Sequence, residues 1–146
     1  MKSIFDKSTR DDLIERIQSL NVNNTVNWGK MTISQMMGHC IKWDEMALGK
    51  TKYKQSFIGW LFGKMALRDM MKDEPMKRNL PTVPSFKMKE EGDFAEEKIK
   101  WINLIDEYGH YSGNGFIHPF FGKLTKEQMG WMAYKHIEHH LCQFNG

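Results

Sequence analysis

The 146-residue sequence predicts an all-α fold. Apolar residues recur at three- and four-residue spacing in four separate stretches, the period of a helix that buries one face. Each stretch opens on a Ser, Thr or Asp followed three residues later by an acid or amide, which marks a helix start. No alternation of apolar and polar residues is long enough to predict a strand. One domain over residues 1–146 is expected from the length.

The first helix is expected over residues 8–20, with Ser8 and Asp11 at its start and Leu13, Ile14, Ile17 and Leu20 on one face. A polar connection, NVNNTVNWGK, follows with turn-forming Asn and Gly. The second helix begins near Thr32, where Thr32 and Gln35 form a capping box. Ile33, Met36, Met37, Cys40, Trp43 and Ala47 supply its apolar side, His39 lies close to that side, and Gly49 ends it. Residues 50–92 read as a long crossover with a helix embedded in SFIGWLFGKMALRDMM, interrupted by Gly59 and Gly63. Pro75, Pro81 and Pro84 then favour an extended passage. The next helix runs from about Asp93 to Tyr108, with Ala95, Ile99, Ile102, Ile105 and Tyr108 as its apolar face. GHYSGNGFIHPFFGKL is expected to be a loop. The last helix starts at Thr125, with Gln128 three positions on, and carries Met129, Met132, Ala133, His136 and His140 towards Phe144.

The chain carries 12 Met and 5 Trp among 40% hydrophobic residues, which suits helix-on-helix packing rather than naming a cofactor. Cys40 and Cys142 form no C-x-x-C motif and are expected to be reduced thiols. The polar N-terminus MKSIFDKSTRDD does not read as a signal peptide. No apolar run is long enough to span a bilayer, so a cytoplasmic protein without a membrane partner is expected. Residues 50–89 hold ten Lys/Arg against three Asp/Glu, a local +7. The remainder is then −4, since the whole chain is +3. The basic segment suits an anionic partner or substrate, or simply a solvated crossover. No helix-turn-helix or zinc finger accompanies it, so no nucleic-acid partner is expected.

Six histidines carry the functional signal. His136 and His140 are i and i+4 on the last helix, which sets both rings on one side within reach of one ion. Met129, Met132 and Ala133 share roughly that face, so the pair points inward. The segment HIEHH is not the metalloprotease motif, because Glu138 faces elsewhere. Spacing alone leaves two readings open: a shared metal, or two hydrogen-bonded core histidines. His39 is a candidate third ligand from another helix. Asp44, Glu45, Asp106 and Glu107 are the available acceptors for the remaining ring nitrogens. His139 also neighbours His136, and His110 is expected to be exposed or capping. His118 heads HPFFG, where it is a candidate fourth ligand, proton carrier or loop anchor; the apolar Pro119, Phe120 and Phe121 rank the anchor first.

The segments MTISQMMGHC at 31–40 and KHIEHHLCQF at 135–144 resemble the DinB superfamily, also called DinB/YfiT-like metalloenzymes. His39 matches the ligand from the second helix of that superfamily. His136 and His140 match the H-x-x-x-H pair of the last, and Gln143 the Gln that follows it. The HPFFG loop with LTKEQMGW after it is similar to one uncharacterised branch. The resemblance covers both terminal thirds and not residues 50–92. It implies a four-helix bundle of up-down-down-up course with a long link between the second and third helices. It also implies one divalent metal on His39, His136 and His140. Relatives include transferases of small thiols.

Three neutral imidazoles would leave an ion an open position, and Zn, Ni and Fe all suit imidazole. A metal there would lower the pKa of a thiol for transfer to an electrophile, or that of water for hydrolysis. Thiol transfer is favoured on the resemblance. In a competing, non-catalytic reading the metal stabilises the helices, and the apolar stretch 57–71 packs against a second copy, giving a homodimer.

Overall fold

The computed structural model describes all residues, 1–146. Five α-helices occur in order: α1 (Lys7–Ser19), α2 (Ile33–Ala47), α3 (Phe57–Met70), α4 (Phe94–Glu107) and α5 (Lys126–Gln143). Between α4 and α5 lies an antiparallel hairpin, β1 (Gly115–His118) and β2 (Gly122–Thr125). The expected all-α four-helix bundle is therefore overturned: the chain is mainly helical but carries a two-stranded sheet, while the fifth helix, α3, is the one expected within the crossover.

The hairpin arose where a loop was expected, and its cause is local. Gly115 pairs with Thr125 and His118 with Gly122, so Pro119, Phe120 and Phe121 form the connection. Gly122 holds φ at 78°, a left-handed conformation that glycine adopts without penalty at the end of a tight hairpin. The ring of His118 closes the turn by accepting the backbone N–H groups of Phe120 (3.1 Å) and Phe121 (3.2 Å). Strands of four residues leave too little alternation to be read from periodicity.

The helix starts follow their capping chemistry. Thr32 and Thr125 each complete a capping box, with Gln35 and Gln128 respectively. Asp93 accepts the N–H of Glu96, and Ser56 that of Gly59. The first helix differs: it begins at Lys7 after Asp6, which makes no side-chain cap, and Ser8 lies inside it. Gly49, at φ 79°, follows the C-terminal end of α2.

One cluster of 25 buried hydrophobic residues forms the core. α2 packs on α4 and α5, α1 packs on α4 and α5, and the hairpin lies on α2 and α5. The expected inward face of α4 holds in its second half, where Ile105 and Tyr108 are buried and Ile102 packs on the core, and fails in its first half. Ala95 and Ile99 are exposed, whereas Trp101, Leu104, Ile105 and Tyr108 are buried. The reason is polar: the Trp101 Nε1–H and Tyr108 hydroxyl both donate to Asp44 of α2, at 2.9 and 2.7 Å. A buried carboxyl without such partners would be costly. No helix is long and apolar enough to cross a membrane.

Candidate metal centre

α2 and α5 bring His39, His136 and His140 together in the core, each 6–7% exposed. One ring nitrogen from each lies within 4.8 Å of the other two. The His39 ring stands 5.0 Å from His136 and 4.9 Å from His140, and His136 stands 4.7 Å from His140. The residues singled out in two distant segments thus converge. No carboxylate or thiol joins the cluster.

Outer partners fix two of the three tautomers. Nδ1 of His39 is 3.1 Å from the Phe86 carbonyl, which only accepts, so Nδ1 carries the hydrogen and Nε2 a lone pair. Gln143 orients His140 in the same way. Its amide nitrogen donates to the Trp28 carbonyl at 2.8 Å, so its oxygen faces His140 Nδ1, also at 2.8 Å. Nε2 of His140 is then a lone pair with no protein donor. Nε2 of His136 is 2.9 Å from Nε2 of His39. Nδ1 of His136 is buried with no partner. A hydrogen bond within the core, the alternative open from spacing, accounts for the His39–His136 contact and for Nδ1 of His140, and leaves Nε2 of His140 without a protein donor.

The donor set fits an ion. Tetrahedral nitrogens about 2.0–2.1 Å from a metal lie ~3.3 Å apart, so the 2.9 Å contact must open slightly and the wider separations close. Burial pushes all three imidazoles down, with His140 at about 3 and His136 also lowered by its two neighbours. Neutral rings offer the lone pairs that a metal needs. Trp43 stacks on His136, with ring centres 5.1 Å apart, and Phe86 stands edge-on to His39.

None of the acidic residues considered as outer partners serves. Asp44 is engaged with Trp101 and Tyr108. Glu45 pairs with Lys100 and Glu107 with Lys50, and Asp106 is exposed. The acceptors are instead a backbone carbonyl and an amide. Phe86 had no sequence signal, since any residue type offers a carbonyl; Gln143 had only the matched motif.

The other histidines separate cleanly. His118 is buried among Phe86, Phe116 and Phe121. Burial pushes its pKa down to about 3, and its Nδ1 is occupied by backbone N–H groups. It anchors the hairpin and stands outside the cluster. His139 packs its edge on His140 and Trp28, and His110 is exposed. Glu138 faces away, in a 2.6 Å ion pair with Arg16.

Fold and site together define a mainly helical protein with a buried all-histidine cluster of a size that suits a metal ion. Residues 5–146 match a family model described as "Protein of unknown function (DUF1569)", and the chain belongs to that family. Comparisons with curated proteins and with solved structures return no match.

Proposed function

We propose that the chain is a cytoplasmic, divalent-metal-dependent enzyme of the DinB-like type that transfers a small thiol to an electrophile. His39, His136 and His140 would hold the ion, whether zinc, nickel or iron. The observation that carries this reading is the lone pair that the Phe86 carbonyl and Gln143 leave on Nε2 of His39 and of His140, in a cluster whose three ring nitrogens lie within 4.8 Å of one another. The resemblance to the DinB superfamily supplies the thiol.

When bound, the ion would lower the pKa of a thiol at its open position. Three neutral imidazoles leave its double charge uncancelled, which favours an anionic ligand such as a thiolate. His39 and His140 stay oriented through their Nδ1–H bonds. Trp43 and Phe86 make one side of the site apolar, which limits water. A carboxylate of the thiol would find its cation in the basic segment 50–89, of which Arg78 stacks 4.2 Å over Trp28. In the transfer, the thiol proton goes to solvent and sulfur gives its electron pair to the electrophilic carbon. The bond from that carbon to the leaving group breaks, and the leaving group takes the pair with it.

Metal analysis of purified protein should give about one ion per chain, lost in His136→Ala; circular dichroism checks that the variant remains helical. No uptake on reconstitution of the wild type would overturn the reading. A panel of small thiols with an electrophile should then show metal-dependent thiol consumption. Turnover that needs the metal but no thiol would replace transfer with hydrolysis.

A further inference from the structure

Helix α3 leaves its apolar face without a partner. Its inner side is thin: Gly59, Gly63 and Leu67 are buried, and both glycines lie against the backbone of Phe120. On the remaining surface Phe57, Ile58, Trp60, Leu61, Phe62 and Met65 are 51–74% exposed. Six such side chains expose on the order of 700 Å², more than the ~300–600 Å² of the largest patch on an ordinary monomer.

Charge selects the occupant. Lys64 lies one helical turn beyond Trp60, and Arg68 one turn further, so both rise beside the apolar side chains. Both are exposed and neither is in an ion pair. Lys52 and Lys54 precede the helix, also exposed and unpaired. Asp69, the one acid of α3, is shared by Lys72 and Lys77 at 2.7 and 3.2 Å. A second copy seated on this face would bring cations of both helices towards one another, and α3 itself has no free carboxylate to set against them; the unpaired acids Asp73 and Glu74 lie beyond its end. Aromatic and aliphatic side chains edged by unpaired cations match instead a surface that is apolar within and negative at its rim.

We infer that α3 docks on an anionic phospholipid bilayer, lying in its interface. The apolar side chains would enter the boundary of headgroup and acyl chain, while Lys64 and Arg68 extend to the phosphates. Lying on a bilayer needs no spanning length, so the short α3 meets the requirement that a transmembrane helix would fail. The inference stands apart from the metal site.

Co-sedimentation of the full chain with vesicles tests it. The protein should bind vesicles in which about a third of the lipid is phosphatidylglycerol, more weakly as salt rises, and should bind pure phosphatidylcholine at least about ten-fold less. Two double variants, Trp60→Ser with Leu61→Ser and Lys64→Glu with Arg68→Glu, should each weaken binding about ten-fold or more. All four positions are exposed, so helicity should be kept. No binding to the anionic vesicles would overturn the inference, as would equal binding to both lipids. So would a stable dimer in sedimentation equilibrium that Trp60→Ser with Leu61→Ser dissociates, because the face would then belong to a second copy.

Discussion

A single amide decides which nitrogen of His140 is free. Gln143 holds the Nδ1–H of His140 and is itself held by the Trp28 carbonyl. Gly29 leaves room for this: a Cβ there would lie 2.6 Å from the Gln143 amide nitrogen, and its φ is 86°. Gln143→Leu should keep the fold but release the His140 ring. The expected loss is about 10- to 100-fold in metal affinity, measured by competition with a chelator. Unchanged affinity would mean that Gln143 does not orient a ligand. At this scale the site was largely legible. The i,i+4 spacing gave His136 and His140, and the likeness of the 31–40 segment added His39. What escaped was the outer ring of partners. A backbone carbonyl such as that of Phe86 leaves no trace in sequence. Of the four carboxylates that were candidate acceptors, the fold engages Asp44, Glu45 and Glu107 elsewhere and leaves Asp106 exposed.

The elements divide by how local their causes are. The starts of α2, α4 and α5 rest on caps within four residues of chain, and these were readable. The hairpin rests on one ring and one glycine, below the length at which alternation shows. The inward face of α4 was read correctly at Ile105 and Tyr108 but not at Trp101, which Asp44 on another helix engages, while Ala95 and Ile99 stay exposed. The two glycines of α3, which looked like weaknesses in a helix, are contacts: side chains there would strike the backbone of the hairpin turn. Alanine for glycine in a free helix gains ~1 kcal/mol. Gly63→Ala should instead destabilise by about 1–3 kcal/mol, the usual cost of overpacking, and lower the melting temperature by roughly 2–10 °C for a chain of this size. A higher melting temperature would show that α3 does not rest on the hairpin.

The molecule as a whole buries groups whose protonation opposes one another. His39, His118, His136 and His140 all have lowered pKa values, mainly through burial. Each would bind a proton more readily unfolded, near 6.5, than folded. Their contribution to stability is full above that pH and is lost as pH falls through the folded values, which are about 3 for His118 and His140. Asp44 runs the other way. Burial raises its pKa from 3.8 to about 7, against the hydrogen bonds from Tyr108 and Trp101. Between those values the folded chain keeps a proton that the unfolded chain releases, so this contribution is full in acid and is lost as pH rises through about 7. Four imidazoles outweigh one carboxyl, and the metal-free protein should weaken towards acid overall. Asp44→Asn isolates the opposing part. Asparagine keeps an oxygen for the Trp101 N–H, and its NH₂ is free to donate to the Tyr108 oxygen, without titrating. Melting temperature measured against pH in wild type and variant, both metal-free, should give a difference that shifts in favour of the variant from about pH 4 to about pH 7. Above that the difference should level off. A difference constant across this range would mean that Asp44 is ionised in the folded core, its charge carried by the Trp101 and Tyr108 donors alone.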